Sequence, residues 1–168
     1  MRSIIVAYDY DRTIGREGAL PWQGMLPADM QHFKELTEGT SVVMGRKTYE
    51  SLPEKFRPLP NRQNIVVSLS QKAIEGAIVA TSLGDAFSQA DHDIMVIGGA
   101  EIYRQALPLV NRVYATEILA RTENGDAFFP ELTPDEWQCD AYEAHKPDEV
   151  NHFAYSFATY LRRNPIDS

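Results

Sequence analysis

The sequence predicts an α/β fold: a central, mainly parallel, twisted sheet of about eight strands, about four flanking helices, and a C-terminal antiparallel hairpin. Two observations lead to this prediction. Short uninterrupted apolar runs, typical of strands covered on both faces, alternate with helix-like segments. Such alternation indicates right-handed βαβ crossovers. Near the C-terminus, two longer strand-like runs lie on either side of a short polar connection, which is typical of a hairpin.

The individual elements follow from local patterns along the chain. Six runs rich in β-branched residues are expected to form the parallel strands: Ile4–Tyr8, Ser41–Met44, Asn64–Ser68, Ala77–Ala80, Ile94–Ile97 and Val113–Ile118. Four segments have helical patterns: Asp29–Thr37, Arg46–Leu52, Ser82–Gln89 and Ala100–Ala106. Ser82 can cap the third helix, with Asp85 three residues later as in a capping box. The hairpin strands are expected at Trp137–His145 and His152–Leu161.

Composition indicates a soluble protein with one domain, residues 1–168. Asp and Glu number 24 against 16 Lys and Arg, and this charge of −8 argues against a nucleic-acid binder, which needs a basic face. The single cysteine, Cys139, precludes an intrachain disulfide and fits a reducing compartment. No apolar run approaches the roughly 20 residues of a membrane span, and the first one meets Asp9 too soon for a signal segment. We therefore expect a cytoplasmic protein with no membrane partner.

Asp29 is the residue that most strongly suggests chemistry. Pro27 suits the first position of a helix, and Asp29, Phe33 and Leu36 then share one apolar stripe, which Met30 flanks. Burying a carboxylate is costly unless a partner pairs with it, so this acid is a candidate proton handler or partner for a polar ligand group. For Asp29 alone, a favourable interaction with the helix dipole explains the position equally well.

Two predicted strands end in glycine just before a helix. Gly98 and Gly99 would let ligand phosphates approach the backbone and the helix N-terminus. Gly45 repeats this order, and Arg46 and Lys47 then place cations at a helix start, where an anion would compensate for them. The plainer alternatives are a tight turn and a solvated charged turn. Together the two motifs favour a dinucleotide with an extra phosphate, which is NADP rather than NAD.

A proline-rich loop, residues 53–64, presents two arginines beside apolar side chains. Arg57 and Arg62 beside Phe56 and Leu59 suit a ligand that combines a ring with a carboxylate. The alternative is a pair of exposed surface arginines.

A second loop, residues 15–27, holds Trp22 between glycines. Such a loop could close over a site and exclude water, or it could be a fixed loop that anchors Trp22 in the core. The four histidines show no spacing typical of a metal site, and no nucleophile motif occurs.

Taken in order, these motifs resemble the dihydrofolate reductase family over essentially the whole chain. The matching segments are Ile5-Val-Ala7, Ile14-Gly15, Leu20-Pro-Trp22, Leu26-Pro-Ala-Asp29, Phe33, Met44-Gly-Arg-Lys-Thr48, Arg57-Pro-Leu-Pro60, Arg62, Ile97-Gly-Gly-Ala-Glu-Ile-Tyr103, Thr116 and Gly125-Asp126 with Phe129-Pro130. The resemblance implies reduction of 7,8-dihydrofolate to 5,6,7,8-tetrahydrofolate by hydride transfer from NADPH, in one-carbon metabolism. It also implies a monomer that binds antifolates, with an adenosine-binding subdomain at roughly 40–92 and a loop and substrate subdomain in the remainder.

The resemblance further implies roles for individual residues. Asp29 would bind the amino and ring N–H groups of the pterin and favour protonation of the ring nitrogen beside the carbon that accepts the hydride. The residues implied in catalysis are Asp29, Trp22, Thr116 and Tyr103. Those implied in substrate binding are Ile5, Ala7, Asp29, Phe33, Arg57, Leu59, Arg62, Ile97 and Thr116. Those implied in cofactor binding are Ala7, Ile14, Gly15, Leu20, Gly45, Arg46, Lys47, Thr48, Ser68, Leu69, Ser70, Gly98, Gly99, Ala100, Glu101, Ile102 and Tyr103. No metal is expected, and residues 14–25 would form a lid segment with Asp126 among its contacts.

Several positions depart from the compact bacterial pattern of the family. Gly24-Met25 lengthens the lid segment, and residues 53–56 lengthen the proline-rich loop. Tyr49 stands where tryptophan is common, Glu101 stands where some members carry a cation near the adenosine phosphate, and Leu69 interrupts a pair of serines. The last two weaken the preference for NADP over NAD.

Three other functions fit parts of the sequence less well. A riboflavin-pathway pyrimidine reductase shares the fold and the hydride chemistry, but the Asp29 helix and the Arg62 loop are folate-type features. A non-catalytic nucleotide-binding domain of the same fold predicts a broken acid or lid, and neither is broken here. An acidic structural or interaction protein leaves Asp29 and the Arg46-Lys47 pair unexplained.

Overall fold

The computed structural model describes residues 1–167. In this part of the chain, ten strands form an eight-stranded sheet and a two-stranded ribbon. The strands are β1 Arg2–Tyr8, β2 Thr13–Gly15, β3 Ser41–Gly45, β4 Gln63–Val67, β5 Ile78–Ala80, β6 Ile94–Gly98, β7 Arg112–Ile118, β8 Ala127–Phe128, β9 Trp137–His145 and β10 Tyr155–Arg162. The α-helices are α1 Pro27–Thr37, α2 Arg46–Ser51, α3 Leu83–Ser88 and α4 Ala100–Ala106, and short 3₁₀ turns lie at Glu54–Phe56 and Leu107–Leu109.

The large sheet has the strand order β5-β4-β3-β6-β1-β7-β10-β9. Its first six strands run parallel to one another, and β10 runs antiparallel to both β7 and β9. This confirms the predicted fold class, including the C-terminal antiparallel pair. The carboxyl ends of β1, β3, β6 and β7 therefore meet along one edge, where open α/β sheets bind their ligands.

Apolar side chains cover both faces of the sheet, which explains why the strands read as uninterrupted apolar runs. Alternate residues of one strand join different clusters: Ile4 and Val43 pack with residues of α3 and α4, whereas Ile5 and Val42 pack with Tyr49 of α2. All four strand residues are at most 6% exposed. The sheet is therefore a rigid platform for groups placed at its edge.

The second hairpin strand begins three residues later than the predicted His152. The loop before it is occupied with other contacts, because the His152 N–H donates to the Met25 carbonyl at 2.9 Å. A register shift also occurs in this pair, where Thr159 lies opposite Ala141 but Tyr160 lies opposite Cys139. The β2–β8 ribbon was not predicted, because strands of two and three residues are too short to show a period.

The helix that carries Asp29 shows the predicted stripe with one correction. Phe33 and Leu36 pack, partly buried, on the cluster around Ile5. Met30, which was expected to flank this stripe, is 61% exposed, because the sheet contacts only a narrow part of α1. No helix within residues 1–167 is long and apolar enough to cross a membrane.

Candidate active site

Asp29 lies in the first turn of α1, and its carboxylate contacts strand β7 of the sheet. Thr116 of β7 donates from Oγ1 to Asp29 Oδ1 across 2.7 Å. Burial raises the pKa of Asp29, and the hydrogen bond from Thr116 opposes this rise. The described part of the chain provides no cation that pairs with this carboxylate. Because a neighbouring strand holds the carboxylate, its interaction with the helix dipole does not by itself account for its position.

One hydroxyl links the two strands whose carbonyls were implied in substrate binding. Tyr103 of α4 lies 2.8 Å from the carbonyl oxygens of both Ile5 and Ile97, on β1 and β6. Burial and the charge of Asp29 raise the pKa of Tyr103, so its hydroxyl remains a donor at neutral pH. One proton is shared between two carbonyls, and each carbonyl therefore keeps capacity to accept another hydrogen bond.

Arg62 is held in a defined orientation beside Phe33. Its Nε donates to Thr37 Oγ1 at 2.9 Å, and its Nη1 donates to the Pro60 carbonyl at 2.7 Å. The guanidinium carbon lies 6.0 Å from the centroid of the Phe33 ring. Burial lowers the pKa of Arg62, and the nearby Glu38 opposes this shift. A fixed guanidinium beside an aromatic ring suits a ligand with a ring and a carboxylate.

Asn64 fixes the loop that carries both arginines. Its Oδ1 accepts the Leu59 N–H at 2.9 Å, and its Nδ2 donates to the carbonyls of Leu59 and Arg62. Asn64 is 4% exposed and Leu59 is 8% exposed. Arg57 Nε is buried and has no hydrogen-bond partner in the described part of the chain. Hydrogen bonds thus hold the loop at Leu59 and Arg62, and Arg57 adds an unsatisfied cationic donor.

The lid segment, residues 14–25, is anchored at two points. Trp22 is 4% exposed and packs with Leu26, as the fixed-loop alternative predicted. Its Nε1 is nevertheless buried without a partner within residues 1–167. The Glu17 N–H donates to Asp126 Oδ2 at 2.9 Å, and the Asp126 N–H donates to the Gly15 carbonyl at 3.0 Å. These bonds confirm the predicted contact between the lid segment and Asp126.

The two glycine-to-helix junctions lie side by side, because β3 and β6 are neighbouring strands. Neither α2 nor α4 has a side-chain cap on its first N–H groups. A Cβ on Gly99 would lie 3.3 Å from Thr48 Oγ1, and Gly98 has φ +130°, which side chains rarely allow. Free N–H groups and a backbone clear of side chains fit the phosphates of a dinucleotide.

The charges near these junctions are partly paired within the protein. Arg46 Nη1 donates to both oxygens of Glu50, at 2.9 and 3.1 Å, while Lys47 is exposed. Glu101 accepts from Arg104, which lowers the pKa of Glu101, and its charge is thus compensated on its own helix. Leu69 is 89% exposed. Lys47 is therefore the freer of the two predicted phosphate-binding cations.

The structure thus brings Asp29, Thr116, Ile5 and Ile97 together at the sheet edge. The sequence reasoning missed four partners that hold predicted site residues or their backbone: Thr37 contacts Arg62, Glu50 contacts Arg46, Asn64 holds the Arg62 loop, and Asn151 accepts the Ala28 N–H next to Asp29. Thr37 and Asn151 contact residues distant in sequence. The contacts of Glu50 and Asn64 lie within five residues, and of these Glu50 at i+4 from Arg46 has a spacing that signals its contact.

A cavity of about 440 Å³ lies elsewhere. Tyr8 and Glu117, which line it, follow Ala7 and Thr116 on their strands and so face the other side of the sheet. It contains none of the predicted substrate-binding residues. No group of three or more His, Cys, Asp or Glu within residues 1–167 is placed to hold a metal ion.

Comparisons with known proteins point to one family over nearly the whole chain. The family model described as dihydrofolate reductase matches residues 1–162. A dihydrofolate reductase of Bacillus subtilis is 41% identical over 167 residues, covering 98% of this chain and 96% of the relative. A type 3 dihydrofolate reductase of Salmonella typhimurium is 42% identical over 164 residues, covering 96% and 98%. A solved structure of the Enterococcus faecalis dihydrofolate reductase, complexed with NADP(H) and RAB-propyl, matches with a TM-score of 0.85 at 35% identity, covering 98% of this chain and 97% of that one.

Proposed function

Because the chain belongs to the dihydrofolate reductase family, and so reduces 7,8-dihydrofolate to 5,6,7,8-tetrahydrofolate with NADPH, we propose that Asp29 binds the pterin and assists its protonation. The observation that carries this proposal is the buried Asp29 carboxylate, held by Thr116 and paired with no cation of the described residues. A carboxylate in this state gains most from a ligand that brings its own N–H donors and positive charge.

The carboxylate acts on the pterin through its charge and its two oxygens. Asp29 Oδ1 accepts from Thr116 and keeps a second lone pair, so both carboxylate oxygens can accept from the amino and ring N–H groups. A fixed negative charge in a buried site favours protonation of the pterin, and the protonated ring nitrogen makes the neighbouring carbon electrophilic. NADPH, when bound, supplies the hydride that this carbon accepts. Trp22, whose Nε1 is buried without a partner within residues 1–167, would help to order water beside the acid.

The remaining substrate contacts orient the ring and its tail. The carbonyls of Ile5 and Ile97 accept from the pterin edge, and Tyr103 fixes these two carbonyls relative to each other. Phe33 and Leu59 flank the aromatic part of the substrate. Arg62, held by two hydrogen bonds, pairs with the α-carboxylate of the glutamate, and Arg57 lies nearby. Ala7 lines the cleft on the β1 side.

The cofactor is held where β3 and β6 end. The backbone at Gly45, Gly98 and Gly99 accommodates the phosphates, and Arg46 and Lys47 select the extra phosphate of NADPH. The lid segment covers the nicotinamide end. The residues proposed to line this cleft are Ala7, Ile14, Gly15, Leu20, Gly45, Arg46, Lys47, Thr48, Ser68, Leu69, Ser70, Gly98, Gly99, Ala100, Glu101, Ile102 and Tyr103. Residues 40–92 would form the adenosine-binding subdomain.

We further propose that the protein acts as a monomer in the cytoplasm, without a nucleic-acid partner. The net charge of −8 supports the last point, because nucleic acid is itself an anion. The guanidinium held beside Phe33 supports a folate rather than a pyrimidine substrate, since it matches a ring that carries a carboxylate tail.

The experiment compares Asp29→Asn with a control, Asp140→Asn, whose acid is exposed on β9. NADPH oxidation with dihydrofolate is followed between pH 5 and pH 9. Asp29→Asn should lower kcat/KM by at least about 100-fold at pH 7 and by much less at pH 5, because substrate then arrives already protonated. The control should match the wild type. Parallel pH profiles for wild type and Asp29→Asn would refute the proposed role of Asp29.

A further inference from the structure

Helix α1 begins without a cap of its own, although it carries Asp29. Its N-cap position is Leu26, which has no side-chain oxygen, and Pro27 follows. The next free donor is the Ala28 N–H, immediately before Asp29. An uncapped first turn frays readily, because its N–H groups have no acceptor within the helix.

Asn151 supplies the missing acceptor from a loop 123 residues away. Its Oδ1 accepts the Ala28 N–H at 3.0 Å. Asn151 is 5% exposed, so water has little access to replace this bond. The loop between β9 and β10 therefore performs the capping that is normally done by the residue preceding a helix.

Asp148 fixes which way the Asn151 amide points. Asn151 Nδ2 lies 3.1 Å from each Asp148 oxygen, and Asp148 Oδ1 also accepts the N–H groups of Asn151 and Val150. The N–H of Asn151, together with the other two donors, lowers the pKa of Asp148. Since an ionised carboxylate can only accept hydrogen bonds, the Asn151 amide turns its NH2 group toward Asp148 and its oxygen toward Ala28.

We propose that Asn151 is a positioning residue for Asp29: by capping α1 at Ala28 it sets where the carboxylate meets the substrate. Two contacts from the C-terminal half then define that place. Thr116 holds the carboxylate itself, and Asn151 holds the backbone one residue before it. The inference rests on the proposed role of Asp29 as the pterin partner, and it adds a residue outside the site whose effect must pass through that carboxylate.

A double-mutant cycle tests this dependence. The dissociation constant of a 2,4-diaminopyrimidine antifolate is measured by titration, because its amino group and protonated ring N–H pair with one carboxylate. Asn151→Ala should weaken the binding of this ligand about tenfold when Asp29 is present. The free energy that a helix cap contributes corresponds to about a factor of ten in affinity, and ligand binding must supply it when the cap is lost. In the Asp29→Asn background the same change should weaken it less than twofold. The affinity for NADPH should change less than twofold throughout.

Two further variants separate positioning from general destabilisation. Glu149→Ala changes an exposed residue of the same loop and should leave both affinities at wild-type values. Asn151→Asp keeps the acceptor for Ala28 but places its carboxylate beside that of Asp148, and the two negative charges repel each other. Adding Asp148→Asn restores a donor at position 148, so the exchanged pair should recover affinity to within about threefold of wild type even if Asn151→Ala folds poorly.

The outcomes are distinct. An equal loss from Asn151→Ala in both backgrounds, or no loss in either, overturns the inference. So does an exchanged pair that binds no better than Asn151→Asp alone. If Asp29→Asn leaves the antifolate affinity unchanged, the proposed role of Asp29 fails and the inference fails with it.

Discussion

The hydrogen bond between Thr116 and Asp29 gives the sharpest prediction, tested by Thr116→Val. Valine matches threonine in shape and replaces the hydroxyl with a methyl group, so the substitution removes the hydrogen-bond donor. The lost bond is 2.7 Å long and joins an O–H donor to a carboxylate at a position that is 2% exposed. Hydrogen bonds to charged groups contribute about 1.5–3 kcal/mol, so kcat/KM for dihydrofolate should fall about 10- to 100-fold at neutral pH.

Thr116→Val should also shift the pH dependence of kcat/KM. The Thr116 donor lowers the pKa of Asp29, which burial raises. Its removal raises that pKa further, so the acidic limb of the kcat/KM profile should move to higher pH. Thr116→Ser retains the hydroxyl and serves as the control, and urea unfolding of each variant checks the fold. If Thr116→Val and Thr116→Ser share one profile and agree within twofold in kcat/KM, the reasoning is wrong.

Three further predictions concern stability, the substrate tail and the cofactor. Burial raises the pKa of Asp29 above its ordinary value of 3.8. Above that pH, the ionised carboxylate therefore destabilises the ligand-free protein. The cost is about 1.4 kcal/mol for each tenfold by which folding lowers the acid dissociation constant of Asp29. Asp29→Asn should therefore gain in urea midpoint relative to wild type as pH rises from 3 to 7, and a constant difference would contradict this. Arg62→Lys keeps the charge but loses the fork, so KM should rise about tenfold for dihydrofolate and stay unchanged for a pterin without the glutamate; an equal rise for both would count against the assignment. Gly99→Ala places a Cβ 3.3 Å from Thr48 Oγ1 and should weaken NADPH at least about fivefold in a fluorescence titration, whereas Gly84→Ala, with no such neighbour, should not; equal affinities would exclude the close approach.

Local patterns were sufficient for most of the fold. The alternation of apolar runs and helices predicted the sheet and the closing hairpin, and Ser82 caps α3 through the Asp85 N–H as its spacing indicated. The failures lie where local signals are weak. The β2–β8 ribbon is too short to show a period, and the start of β10 is delayed by loop contacts to α1 and the lid segment.

The site was predictable as a set of residue types rather than as a geometry. The position of Asp29 on a helix stripe follows from spacing, but its contact with Thr116 spans 87 residues. The Arg62 loop was identified by its prolines, whereas Asn64, which fixes it, looks like any strand residue in the sequence. The groups that orient the site are single residues, and they carry no sequence period by which to find them.

The long sequence separation between α1 and its cap delays the capping of this helix during synthesis. At a synthesis rate of about 5–20 residues per second, Asn151 leaves the ribosome roughly 6–25 s after Ala28, which it caps from 123 positions downstream. β10, which pairs with the strand that carries Thr116, is made later still. A nascent chain therefore contains every residue implied in folate and cofactor binding, Thr116 included, before Asn151 can cap α1. We therefore expect full activity only after β10 has been made.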